Sequence, residues 1–393
     1  MPVIPPPVHP TVLRTASVHF VVDGYGNIFA PLLPLLLARL DLTLAAAGAL
    51  TMLFQLAASV SQVGFGHLAD RWRPHLLLCA GPIVSVLILS GVGLAPSVPV
   101  LAGILIVGGL GGAAFHPPAA ALAYRLGGNS PGLSMAVHIT GGSLGFSLGP
   151  LLFAPFAERF GLEATPLLAI PGLLVVGVLL AGIPRVTVPP AQRIGFAALR
   201  PYARPLTLLY LIVVLRTLTS ISFATFMPVM LTRQGISLAT SGAAVAAYLF
   251  ASGIGGFLGG PAADRFGPRR VIALSLVLAT PFLCAASLTS GTLFILLVAA
   301  GGFFLQSTLP VNVTFGQALA PVSAATVSSL MMGFAWGSGG LSVPFVGMLA
   351  DRIGIEATLT AVSFVPLAAA ALAIPLPARA PARVSPPPAA DPF

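Results

Sequence analysis

Apolar runs recur along the whole chain, each close to the roughly 20 residues an α-helix needs to cross a bilayer. Short polar breaks separate them. Twelve such runs are legible: residues 17–39, 44–66, 75–95, 98–123, 131–156, 164–184, 205–231, 237–260, 270–289, 291–317, 321–347 and 356–376. They predict an all-α integral membrane protein with twelve transmembrane helices. One break is longer than the rest. Residues 185–204 (RVTVPPAQRIGFAALRPYAR) carry four arginines and divide the runs six and six. The expected organisation is an N-terminal six-helix bundle over 1–184, a cytoplasmic linker over 185–204, a C-terminal six-helix bundle over 205–376 and a disordered, Pro/Ala-rich cytoplasmic tail over 377–393.

Composition excludes a soluble alternative. Charged residues are 7% and hydrophobic residues 57% of the 393 positions, against roughly 25% charged in a soluble domain. Mean hydropathy is +1.01. The 43 glycines and 38 prolines lie largely inside the apolar runs, where transmembrane helices tolerate them. The net charge of +9 comes from 18 arginines and no lysine. They are scattered between apolar runs and form no basic face, which argues against nucleic acid as a partner. Their placement sets topology instead. With the N-terminus inside, 13 arginines fall in inner loops and tails, 4 in outer loops and one, Arg216, within a helix; both termini are therefore expected in the cytoplasm. The first apolar run is read as a retained helix, because no cleavable leader pattern precedes it. Cys79 and Cys284 both fall in apolar runs and form no metal-binding or disulfide pattern.

The halves repeat each other. FAPLLP at 29–34 matches FATFMP at 223–228, Leu42-Thr43-Leu44 matches Ile236-Ser237-Leu238, and ADR at 69–71 matches ADR at 263–265. ERFGLEAT at 158–165 matches DRIGIEAT at 351–358. Matches in order at one offset, near 194, indicate two pseudo-symmetric six-helix bundles in parallel orientation.

The loop GHLADRWRPH (66–75) and its copy GGPAADRFGPRR (259–270) resemble the signature loop of the major facilitator superfamily. The resemblance implies gating roles for Asp70, Arg71, Asp264 and Arg265 at the membrane surface. A closer resemblance covers nearly the whole chain. HFVVD (19–23), FQLAASVSQ (54–62), GGAAFHPPAA (111–120), GGSLGFSLGPLL (141–152) and GFAWGSGG (333–340) resemble segments of the fosmidomycin-resistance branch of that superfamily. This implies an efflux pump of the bacterial inner membrane, driven by proton entry, with helices 1, 4, 7 and 10 lining a central cavity. The chain departs from that branch at Pro118, where the branch has Glu, and at Ala121, where it has Arg.

Ionisable groups inside apolar runs are the candidate functional residues. Each costs at least roughly 2.5 kcal/mol at a lipid-facing helix centre and persists where it meets a cavity or a partner. His19 and Asp23 are spaced i, i+4 and share a helix face. His116 and His138 sit at similar depth on helices 4 and 5, and Arg216 lies nearer the midplane of helix 7. Asp23 and His116 are the proton-coupling candidates. Arg216, His19, His138, Gln55, Gln306, Asn312 and Trp336 are the substrate-binding candidates. Interhelical hydrogen bonding or packing explains several of these equally well.

Neither a nucleotide-binding loop nor a hydrolytic arrangement of residues is present. GIGGFLGG (253–260) follows no strand and reads as a close helix-packing stripe. The expectation is a monomeric secondary transporter, not an enzyme, with no cofactor or resident metal and with a small molecule, protons and the lipid bilayer as partners. Proton-coupled export of a small drug-like or anionic compound leads. Import or exchange of an organic anion, metal-ion transport through His19, Asp23, His116 and His138, and a non-transporting receptor or scaffold are the alternatives.

Overall fold

The computed structural model describes residues 8–69, 73–128, 131–184, 196–320, 327 and 329–378. Among them there are helices, turns and bends but no strand. Eleven helices are long and apolar enough to cross a membrane: α1 (Pro10–Leu40), α2 (Leu44–Ala69), α3 (Pro74–Leu94), α4 (Val98–Leu126), α5 (Leu133–Phe160), α6 (Leu162–Ala181), α7 (Leu199–Arg233), α8 (Leu238–Phe266), α9 (Pro268–Ser287), α10 (Gly291–Leu319) and α12 (Ile355–Ala373). Between α10 and α12 the described part of α11 runs through Ser329–Phe334, Ala335–Gly340 and Val343–Ile353.

Several boundaries differ from the sequence expectation, and two of these differences have a clear local cause. Helix α1 starts seven residues early, because Pro10 suits the first helical position and the His9 ring accepts the Thr11 N–H at 3.2 Å. The end of the supposed linker is also helical. Phe196–Tyr202 forms a 3₁₀ segment whose last four residues open α7, with Leu199 buried. The remainder of that linker, 185–195, and the tail from 379 lie outside the described residues.

The internal repeat builds matching turns. Thr43 and Ser237 cap α2 and α8, their hydroxyls accepting the Ala46 and Thr240 N–H groups, each at 3.1 Å. Gly161 and Gly354 end α5 and α11 at φ of 82° and 89°, a region open to glycine but strained for other residues. These are the glycines of ERFG and DRIG.

Packing between the bundles is uneven along the membrane normal. At the end away from the chain termini, α2 meets α11 and α5 meets α8. The approach is close enough that a Cβ on Gly48 would lie 2.6 Å from the Val343 carbonyl oxygen, and one on Gly242 2.8 Å from that of Pro150. Toward the opposite end a cavity lies between the bundles, while α2 stays close to α11, where a Cβ on Gly337 would lie 2.6 Å from the Val60 side chain. Large apolar side chains such as Leu174, Val178 and Phe345 cover the outer surface, as lipid-facing positions require.

Candidate functional site: a central cavity and two buried polar clusters

The cavity is about 810 Å³ in volume. Its wall comes from the middle of α1 and α7 and from the termini-side halves of α5, α8 and α10, with α2 and α11 closing the sides. The lining is mainly apolar, with Asn27, Gln55, Thr140, Ser220, Gln306 and Trp336 among it, and among the described residues no acidic or basic side chain belongs to it. Such a surface suits an amphiphilic solute of drug size. Local irregularities shape the wall. Helix α1 breaks at Asn27, whose amide donates to the Phe146 carbonyl at 2.8 Å. Gln55 immediately precedes a π-helical turn, Leu56–Val60, and Trp336 follows another, Ser329–Phe334. Such turns concentrate at functional sites.

The expectation that helices 1, 4, 7 and 10 line the cavity needs correction at α4. That helix contributes nothing to the wall. His116 instead faces α1 inside the N-terminal bundle, its Nε2 lying 3.5 Å from Asp23 Oδ1. His19 Nε2 lies 3.1 Å from Asp23 Oδ2. The His19 ring is 4.9 Å from that of His116 and 4.4 Å from that of His138, centre to centre. Three helices therefore bring four ionisable groups together, as their shared depth implies.

The hydrogen bonding of this cluster is informative. His19 Nδ1 lies 2.9 Å from the His138 carbonyl oxygen. A carbonyl only accepts, so Nδ1 must carry the hydrogen. A hydrogen bond from Nε2 to Asp23 then requires a second proton on the ring. In that doubly protonated state one proton lies between His19 Nε2 and the Asp23 carboxylate. The donor atoms of His19, Asp23 and His116 also lie within 4.8 Å of one another, so the trio has the donor set of a zinc-type site.

Helix α5 makes this approach possible. It presents Ala136, Ile139, Thr140 and Ser143 to the cavity and turns His138, Gly141, Gly142 and Gly145 toward α1. A Cβ on Gly142 would run into His19 and lie 2.6 Å from Asp23 Oδ2. Gly142→Val is expected to destabilise the protein by about 1–3 kcal/mol through overpacking. A thermal unfolding curve matching that of the unsubstituted protein would refute this.

The second cluster surrounds Arg216, which is fully buried on α7. It donates to Gln306 Oε1 and, at 3.1 Å, to Thr217 Oγ1. Its guanidinium carbon is 5.3 Å from the centre of the Trp336 ring. Gln306 Nε2 passes the chain on to Ser220 Oγ at 3.1 Å. No carboxylate pairs with Arg216 among the described residues, and its Nε has no partner there. Arg216 thus stands directly behind the wall residues Gln306 and Trp336.

Of the substrate-binding candidates, Gln55, Gln306 and Trp336 are on the wall. His19, His138, Arg216 and Asn312 are not. His138 packs on His19 and Phe115, and Asn312 is fully buried in α10 with both amide atoms unpartnered among the described residues. The proposed gating pair Asp70 and Arg71 lies outside the described residues, whereas Asp264 and Arg265 are exposed at the end of α8. Sequence reasoning missed Asn27 and Ser220. The GYGN interruption of an apolar run was a usable signal for Asn27; Ser220 carried none.

Comparison with known proteins agrees with this architecture. The family model described as Major Facilitator Superfamily matches residues 15–215 and again 209–392. The chain is 27% identical over 379 residues to the MFS-type transporter YfnC of Bacillus subtilis (strain 168), covering 92% of this chain and 91% of that one. It is 29% identical over 365 residues to the fosmidomycin resistance protein of Escherichia coli (strain K12), covering 89% and 88%. Among solved structures, a bacterial homolog of the human lysosomal transporter Spinster superposes with a TM-score of 0.79 at 19% identity, covering 92% of this chain and 95% of that one. The nucleoside transporter NupG superposes with a TM-score of 0.74 at 13% identity, covering 93% and 98%. A duplicated helical bundle around a central cavity, matched by the family model in each half, places the chain in the Major Facilitator Superfamily of membrane transporters.

Proposed function

We propose that the protein exports a small, amphiphilic organic anion across the bacterial inner membrane in exchange for protons. The observation that carries this reading is Arg216, a buried cation without a carboxylate partner among the described residues, hydrogen-bonded to the cavity-wall residue Gln306. A fixed charge in low dielectric favours an anion close to it. The termini-bearing end, where the cavity opens, is the cytoplasmic end by the distribution of arginines. Loading from the cytoplasm fits export. Asp23, His19 and His116 serve as the proton site, one helix away from the cavity across α5. The relative named for fosmidomycin resistance supports a drug-like cargo.

Inverted vesicles with an acidic lumen test the proposal. A panel of small organic anions, fosmidomycin among them, is added outside while lumenal pH is followed. Export predicts compound-induced proton release accompanied by uptake of the compound into the lumen. Anion counterflow with no proton movement would replace this reading with anion exchange. Silence across the panel from correctly inserted protein would leave the export assignment without support.

A further inference from the structure

The repeated ERFG and DRIG motifs do more than turn the chain. Asp351, at the end of α11, accepts the Leu44 N–H on Oδ1 and the Ala45 N–H on Oδ2, each at 2.9 Å. Those are the first two amides of α2, in the other bundle. Glu158, at the end of α5, accepts the Leu238 N–H on Oε1 at 3.1 Å and the Ala239 N–H on Oε2 at 3.0 Å. Those are the first two amides of α8, again across the bundle boundary. Glu158 and Asp351 occupy equivalent places in the repeat, as do the two pairs of amides.

Each helix start is satisfied in the same way. Its own hydroxyl cap takes the third amide, and the foreign carboxylate takes the first two. The positive end of the helix dipole attracts that carboxylate. Both contacts lie at the end opposite the cavity mouth, beside Gly48, Gly242 and Gly347, where the bundles touch most closely. Rocking the bundles to open this end must break all four hydrogen bonds.

We infer that Glu158 and Asp351 form a two-part latch that holds this end closed and sets the balance between the two access states. The latch acts on the bundles themselves, so it operates whichever solute is carried and whether or not protons drive it. A third acid at the same end provides the contrast. Glu163 pairs with Arg39 at 2.9 Å, but both belong to the N-terminal bundle and move together.

Spin-label distances in the full chain, reconstituted in lipid nanodiscs with Cys79→Ser and Cys284→Ser, test the latch. Labels at the exposed Leu94 and Leu288 report on the latch end; labels at the exposed Tyr124 and Phe266 report on the cavity mouth. Glu158→Ala with Asp351→Ala is expected to raise the ratio of latch-open to latch-closed molecules, on the order of tenfold per carboxylate lost. The Leu94–Leu288 distance then lengthens while Tyr124–Phe266 shortens. Glu158→Gln with Asp351→Asn, which keeps an acceptor oxygen, gives a smaller shift in the same direction and reports even if the alanine pair folds poorly. Glu163→Gln changes neither distance. Unaltered distributions in both double variants, or an equal response to Glu163→Gln, would overturn the inference.

Discussion

Asp23→Asn is expected to remove compound-driven proton release while leaving the protein folded. Asparagine is nearly isosteric with aspartate and still offers an oxygen to His19 Nε2, now 3.1 Å from Oδ2. What disappears is the negative charge that makes a second proton on the His19 ring favourable. His116, whose Nε2 is 3.5 Å from Oδ1, loses the same partner. Proton-coupled flux should fall by about 10²-fold, the low end for loss of a positioned proton-transfer group. Downhill exchange of the solute without a proton gradient should persist, because none of the four clustered residues belongs to the cavity wall. The assay is the vesicle measurement described above, run beside solute counterflow. Loss of both activities together would point to a binding or folding role for Asp23; retention of full proton release would remove it from the coupling site.

Arg216→Met should separate function from stability more sharply. Methionine occupies much of the arginine stem while removing the charge. Removing a buried charge that has no carboxylate partner among the described residues relieves its desolvation cost and leaves no uncompensated opposite charge behind. The melting temperature should therefore hold or rise. Gln306 loses a donor but lines the cavity, where water can take that place. Anion transport, by contrast, should weaken by about 10- to 100-fold, the value of a charge-assisted interaction of roughly 1.5–3 kcal/mol. Arg216→Lys keeps the charge but loses the planar fork that contacts Gln306 and Thr217 together, so it should fall between the two. A large drop in melting temperature with unchanged transport would assign Arg216 a purely structural role.

Hydropathy and residue spacing alone reveal the helical membrane architecture, its duplication and the short list of ionisable residues. The bilayer explains why. It demands about 20 apolar residues per crossing and makes every charge within a crossing conspicuous. Those constraints act within one segment and are visible in one segment. His19 and Asp23 share a face because helical spacing alone decides it. The kinship of 158–165 with 351–358 was equally legible, because a turn needing glycine at positive φ repeats its residues.

Which helix faces meet emerges only once the helices are packed together. His116 turns to Asp23 and leaves α4 off the cavity wall, a choice made where the glycines of α5 let α1 approach. Arg216 stands behind Gln306 rather than in the cavity, and Glu158 and Asp351 reach the amides of helices in the opposite bundle. One cause underlies all three. In lipid, the hydrophobic effect does not select among helix faces, so close packing and polar pairing between distant segments fix their rotation. Neither is written in the hydropathy of any single helix.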